Sequence, residues 1–389
     1  MAVSAALVAA SGAAAAADVQ IYGRVNTALF FQKVQSEDHA KLRMDNGASR
    51  FGLNISETLT DDLSVRGYLE NGFNSDDGGL TNTSGGASSG SSMLFDRRSI
   101  IALRSNKAGE FGFGRMGTVR STMAPYGIGL AALDPFETAY AVDCSISGVF
   151  GNDARGNNSI SWLSPKWAGW QTGLTYSLST TGQEDEDMGD NNRQLAGVLA
   201  YSAGPLYVTA GTTYQWFGHD PNVAPTDADQ GKKYQRNDAQ VWMLGATYQM
   251  LDNLKLFAAA QWHKDWRNVG GWNVDRWYRG NPADAKAGID GVTALVGLQY
   301  WPAAKVRVLA DYMYFDGEHD METGSVDAKR HVVNGALEYW FSKKTHAFVS
   351  LSYSTGSGAL DSDATFEHFN GSANDVNRVS SYLGLEMRF

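Results

Sequence analysis

Several groups of residues in this 389-residue chain have types and spacing that invite a chemical reading. Gly112-Phe113-Gly114-Arg115-Met116-Gly117 satisfies the glycine string of a dinucleotide-binding turn. Such a turn needs a helix to begin there, inside a βαβ unit, so that amide N–H groups converge on a pyrophosphate. The chain instead runs on through Pro125, Gly127 and Gly129, and glycines where a strand enters a loop explain the string better. Glu184-Asp185-Glu186-Asp187-Met188-Gly189-Asp190-Asn191 offers the oxygen ligands that calcium takes, but without EF-hand spacing or a closing bidentate Glu. A solvated acidic loop is the favoured reading. Trp262, Trp266, Trp272, Trp277 and Tyr278 could stack a sugar, yet neither parity nor spacing aligns them on one wall, which favours ordinary packing. A hydrolase would need a nucleophile, a base and its orienter. The seven histidines, His39, His219, His263, His319, His331, His346 and His368, fall in no such string. The lone Cys144 excludes an intrachain disulfide and any CxxC site and reads as a small buried residue. No enzyme, metal site or cofactor is called for.

The composition narrows the elements that could position anything. A net charge of -10, from 32 Lys+Arg against 42 Asp+Glu, argues against a nucleic-acid partner. With 43 Gly, 8 Pro and 19% charged residues, the chain is neither disordered nor a helical bundle. Residues 1–17 are uncharged and alanine-dominated, with Leu7, Val8 and a small-residue Ala15-Ala16-Ala17 site. They read as a signal peptide lacking its basic front, cleaved before Asp18. Residues 18–389 show no linker dividing them, so a single continuous β architecture is expected. No later run is long and apolar enough for a membrane helix. The chain is then either exported and soluble or enters a membrane as a closed β-barrel.

Periodicity decides between the two. Val19, Ile21, Gly23, Val25, Thr27, Leu29 and Phe31 alternate with Gln20, Tyr22, Arg24, Asn26, Ala28, Phe30 and Gln32. Phe51, Leu53 and Ile55 alternate in the same way with Arg50, Gly52, Asn54 and Ser56, and Leu383, Leu385, Met387 and Phe389 with Tyr382, Gly384, Glu386 and Arg388. Period two denotes strands with two different environments. Connections come in two lengths. Seven are tight: 60–62, 106–109, 165–169, 203–205, 252–253, 302–304 and 342–344. Eight are long and polar, near 34–48, 74–92, 117–156, 180–192, 218–238, 266–290, 316–330 and 356–377. Seven turns joining eight long-looped hairpins predict a sixteen-stranded antiparallel transmembrane β-barrel. Aromatics near strand ends, among them Tyr22, Phe30, Phe31, Trp167, Trp170, Tyr300, Trp301, Tyr339, Trp340 and Phe341, fit interfacial girdles. The mean hydropathy of -0.31 suits strands that show lipid only alternate residues around a wet lumen.

From Val19 to Phe389 the sequence resembles the general porins of Gram-negative outer membranes, especially the β-proteobacterial type. The resemblance rests on Ile21-Tyr22-Gly23-Arg24, Ser49-Arg50-Phe51-Gly52 through Glu57, Leu69-Glu70-Asn71-Gly72-Phe73-Asn74 and Phe95-Asp96-Arg97-Arg98. It continues in Phe111-Gly112-Phe113-Gly114-Arg115, Leu133-Asp134-Pro135-Phe136-Glu137 and Arg155-Gly156-Asn157-Asn158-Ser159-Ile160-Ser161-Trp162. The terminal Phe389, with apolar residues at alternate positions before it, resembles the signal read by the barrel-assembly machinery.

The resemblance implies that the third loop folds inward and narrows the channel, setting carboxylates opposite a ladder of basic wall residues. Residue by residue it puts Arg24, Arg50, Arg97 and Arg155 on the basic side and Asp134 and Glu137 on the acidic side. Alternation independently turns Arg24 and Arg50 inward. Arg97 shares parity with Ile101 and Leu103, whereas Arg98 has the inward parity, and a bulge could favour either. Arg98, Arg115, Asp143 and Asp153 are further lumen candidates. The implied function is passive diffusion of small hydrophilic solutes and ions. Several arginines against two carboxylates at the neck favour anions, against the overall negative charge and the acidic run 184–187 at the vestibule. The competing classes are a sugar-selective channel and a non-conducting barrel acting as adhesin or enzyme. The resemblance also implies a homotrimer in outer-membrane lipid and lipopolysaccharide; the minor reading of the acidic run, taken from its residues, is divalent cations bridging it to lipopolysaccharide.

Overall fold

The computed structural model describes residues 17–35, 37–80, 93–137, 144–180, 184, 188–218, 237–269, 272–273, 287–321, 324–358 and 377–389. Its strands are β1 (Asp18–Val34), β2 (Lys41–Asn46), β3 (Arg50–Thr58), β4 (Leu63–Gly72), β5 (Arg98–Ser105), β6 (Gly109–Gly117), β7 (Arg155–Leu163) and β8 (Trp170–Ser177). There follow β9 (Arg193–Ala203), β10 (Leu206–Trp216), β11 (Ala239–Leu251), β12 (Leu254–Trp266) and a small separate pair, β13 (Asn268–Val269) and β14 (Trp272–Asn273). The set ends with β15 (Ile289–Ala303), β16 (Val306–Met321), β17 (Gly324–Trp340), β18 (Thr345–Gly358) and β19 (Arg378–Arg388).

The seventeen segments of the main sheet form sixteen strands, because β2 and β3 are two halves of one. Both pair with β1, Thr27 opposite Asn46 and Arg24 opposite Arg50. At the break between them Ala48 takes a φ of 55°, and Ser49 Oγ accepts from Asn26 N at 2.9 Å and donates to Asn26 O at 3.0 Å. The hydroxyl so replaces ladder bonds that the kink removes. On its other side β1 pairs with β19, from Arg24 opposite Arg388 to Val34 opposite Arg378, and the sheet closes. Closure removes the edge, the condition for a sheet to sit in hydrocarbon.

Alternation has the expected consequence. Leu244, Val296, Leu337, Leu351, Leu383 and Leu385 are all exposed on the outer face, while their neighbours Met243, Leu295, Ala336, Ser350 and Tyr382 are buried. Such an inverted surface is stable in lipid and not in water. The tight turns cap themselves: Thr60 Oγ1 accepts from Leu63 N at 3.0 Å, Ser105 Oγ from Ala108 N at 3.0 Å and Ser342 Oγ from Thr345 N at 3.1 Å. Gly109 turns the second of these at φ 93°.

Two of the expected long loops contain strand. Within 34–48 lies β2, and within 316–330 β16 and β17 continue as a hairpin, Asp316 opposite Lys329 and Glu318 opposite Asp327. Polarity marks where strands leave the lipid, not where they stop pairing. Tyr22 and Phe30, expected in the girdles, face the other way: Tyr22 Oη bonds Glu70, and Phe30 stacks on Tyr382 with ring centroids 4.4 Å apart. Of the aromatic group near the sixth loop, Trp262 is exposed and Trp266 buried, while Trp277 and Tyr278 lie outside the described residues. The glycine string at 112–117 lies in β6 and has no helix behind it.

Candidate pore constriction

Residues 118–154 join β6 to β7, and their described parts pack against wall side chains of the buried, inward parity. Val119, Leu130, Leu133, Ile146, Val149 and Phe150 share a cluster with Val198, Val241, Met243, Phe257, Leu295 and Met313. Phe136 and Cys144 join a second cluster with Phe30, Leu309, Phe348 and Tyr382, so the thiol is a buried packing residue. Polar contacts fix the register of the segment. Ile128 O accepts from Tyr207 Oη at 2.7 Å and Thr209 Oγ1 at 2.8 Å, and Pro135 O accepts from Gln299 Nε2 at 2.6 Å. Gly297 leaves room for Pro135, since a Cβ there would stand 2.6 Å from its Cγ.

Both ends of the segment meet in one buried clasp. Arg120 pairs with Asp153, which also accepts from Thr118 and, at 2.8 Å, from Thr213 Oγ1. Arg120 Nε donates to Thr213 Oγ1 at 2.8 Å and Nη1 to Gly151 O at 3.1 Å. Asp153, a lumen candidate in the sequence, is thereby neutralised inside the segment.

The basic residues gather around a carboxylate that sequence reasoning did not single out. Glu70 is 2% exposed and accepts from Arg97 Nε at 2.6 Å and Tyr22 Oη at 2.9 Å, with Arg50 Nε 3.8 Å away. Arg98 stands opposite it in the β4–β5 register. Arg97 precedes β5, so the strand's parity does not bind it, and both arginines reach the same group. Arg98 Nη2 also donates to Ala124 O, at 3.4 Å. Arg24, paired with Arg50 across β1 and β3, donates to Ala48 O at 3.1 Å and lies 3.7 Å from Glu386. Arg155 is buried within electrostatic reach of Arg97, Glu70, Asp96 and Arg98, and its Nε has no hydrogen-bond partner. Arg115 is tied to Asp96 O and Asn157 Oδ1, each at 2.6 Å.

The two expected carboxylates lie against another stretch of wall. Asp134 is buried and accepts from Phe136 N at 2.9 Å and Ser145 Oγ at 3.2 Å. Glu137 accepts from Arg307 Nη1 at 2.8 Å and Gln299 Nε2 at 3.4 Å, with Arg388 Nη2 at 3.8 Å. Burial alone would raise the Glu137 pKa, but Arg307 and then Arg388 outweigh it and hold the carboxyl below the usual range. Arg307 is itself gripped by Glu338, at 2.5 and 2.8 Å. Asp143 lies outside the described residues, as do 185–187 of the acidic run. Glu386 and Arg388 carried a signal, their inward parity in the last strand. Glu70 carried the same parity signal on β4. The Arg120–Asp153 clasp, 33 residues apart, carried none.

Residues 2–359 match the model of the Gram-negative porin family. The chain belongs to that family. An outer membrane porin of Bordetella pertussis is 27% identical over 246 residues, 57% of this chain and 59% of the relative. Outer membrane porin protein 32 of Delftia acidovorans is 30% identical over 224 residues, 54% of this chain and 58% of the relative. The match thus spans less than two thirds of either relative. Among solved structures, an anion-selective porin from Comamonas acidovorans superposes with a TM-score of 0.69 at 20% identity, over 96% of this chain and all of that one. A trimer form of Vibrio cholerae OmpT reaches 0.60 at 16% identity, over 96% of this chain and 100% of that one. At these identities the superpositions speak for the fold. Family and closed barrel place the porin in the Gram-negative outer membrane.

Proposed function

We propose that this porin is a general diffusion channel for small hydrophilic solutes and ions, with an anion preference set where residues 118–154 narrow the lumen. The observation that carries the reading is the cluster of five arginines, Arg24, Arg50, Arg97, Arg98 and Arg155, about Glu70, with Asp96 and Glu386 the further carboxylates in their reach. Asp134 and Glu137 are the carboxylates that would face it, and Glu137 is already matched by Arg307 and Arg388. A permeating ion at the neck therefore meets uncompensated positive charge, and fixed charge of one sign in a narrow passage enriches the opposite ion. The transverse field between the two stretches of wall orients dipolar solutes and their water, so polar molecules pass more readily than apolar ones. No catalytic step is assigned. The similarity to a trimeric neighbour and the apolar outer wall support a homotrimer in outer-membrane lipid, with Phe389 as the assembly signal and residues 1–17 as the export signal.

Reversal potential across a planar bilayer under a KCl gradient tests the reading. Stepwise current that favours chloride, with Arg50→Ala/Arg155→Ala shifting it toward cations, supports both function and site. Absence of current refutes the channel. Selectivity that ignores the two arginines refutes the site and leaves the barrel intact.

A further inference from the structure

The arginines around Glu70 are not the only basic groups on the inward face. Arg66 lies four residues nearer the tight-turn end of β4 and has the same parity as Glu70 and Tyr68. At strand rise this is about 13 Å from the first cluster along the wall. Arg104, on β5, shares parity with the buried Ile100 and Ala102, opposite the exposed Ile101 and Leu103. The register sets Ser64 opposite Arg104 and Ala102 opposite Arg66, so the two arginines stand on adjacent strands within one pleat of each other.

Little in the fold consumes their charge. The Arg66 guanidinium makes one long contact, 3.5 Å to Tyr68 Oη, and its Nε is buried without a hydrogen-bond partner. Arg104 is 4.0 Å from Glu110, whose carboxylate also accepts from Tyr68 Oη at 3.2 Å. The pair thus carries two positive charges against one negative charge. Of residues 118–154, Tyr126 reaches this wall, its Oη 3.1 Å from Ser161 Oγ and beside Glu110, whereas Val241, Met243 and Leu295 on the β9–β16 side share an apolar cluster with Leu130 and Leu133.

We propose that Arg66 and Arg104 form a second anion station on the tight-turn side of the constriction, which in outer-membrane barrels is the periplasmic side. This rests on the anion-conducting reading above and extends it: small oxyanions and halides pass two basic stations in series rather than one. Tyr68 Oη, between Arg66 and Glu110, supplies a neutral donor and acceptor at the same level. Two stations a strand's length of about 13 Å apart exceed the Debye length of roughly 10 Å at 0.1 M salt, so their effects on permeation are independent.

The test is the anion-to-cation permeability ratio from reversal potentials around 0.1 M KCl for wild type, Arg66→Gln/Arg104→Gln, Arg66→Lys/Arg104→Lys, Arg50→Ala/Arg155→Ala and the combination of the first and last pairs. The Gln pair should lower the ratio by about sevenfold, as expected for removing two charges at roughly 7 Å under that screening. The Lys pair should keep the wild-type ratio, and the combined variant should show the product of the two losses. Barrel mobility in unheated gels checks that each variant is folded. A Gln pair at the wild-type ratio, or a Lys pair that loses as much as the Gln pair, overturns the station. A wild type without anion preference overturns instead the reading on which it rests.

Discussion

Glu70→Gln isolates the charge at the centre of the arginine cluster. The amide keeps the shape and can still accept from Arg97 Nε and Tyr22 Oη, now at 2.6 and 2.9 Å from the carboxylate, but it removes the negative charge that Arg97 and Arg50 contact. At about 7 Å and the dielectric of water, one charge changes an ion's energy by roughly 0.6 kcal/mol. A Debye length of about 10 Å at 0.1 M halves that to ~0.3 kcal/mol, near 1.7-fold for each ion and about threefold for the anion-to-cation ratio. The variant should therefore become more anion-selective by about threefold in 0.1 M KCl. In 1 M KCl, where the Debye length is about 3 Å, the difference should nearly vanish. Weakening the charge-assisted bond should also cost about 1–3 kcal/mol of barrel stability, read as lower resistance to guanidinium in detergent. Bilayer reversal potentials at the two salt concentrations give the decisive numbers. An unchanged ratio at 0.1 M, or a shift toward cations, would refute the placement of Glu70 beside the ion path.

The Arg120–Asp153 clasp should behave as a buried pair. Arg120→Ala alone should cost about 3–5 kcal/mol and open residues 118–154 to limited proteolysis, while Arg120→Met/Asp153→Leu should recover part of that loss. Glu137 gives this segment a pH dependence. Its folded pKa lies below the unfolded value, so its contribution is complete above the ordinary glutamate range and fades as pH falls through the depressed folded value. Acid titration should raise the proteolytic accessibility of 118–137 in wild type, and Glu137→Gln should flatten that rise. Because Phe389 N and O bond Gly23 O at 3.0 Å and Gly23 N at 3.2 Å, deleting the last residue should slow refolding into detergent micelles, scored by gel mobility.

The barrel was legible in the sequence because two of its determinants are local. Side chains on a strand alternate with period two, so the lipid face of segments such as Leu383, Leu385 and Met387 can be read without knowing their partners. Turn residues such as Asn106-Lys107-Ala108-Gly109 mark where adjacent strands reverse. Loop ends were read less well for the same reason: polarity reports exit from the lipid, while pairing of Asp316 with Lys329 depends on backbone hydrogen bonds that ignore side-chain polarity. The inward parity of Arg24 and Arg50 was likewise legible in the sequence alone, whereas the choice between Arg97 and Arg98 stayed open there. That these groups converge on Glu70 was decided only by tertiary structure, since β1, β3, β4 and β5 are brought into register by closure of the sheet. The clasp between Arg120 and Asp153 and the pairing of Glu137 with Arg307 belong to the same class. Charges distant in sequence have no periodic signature, and which of them end up compensated depends on how the segment between β6 and β7 packs against the wall.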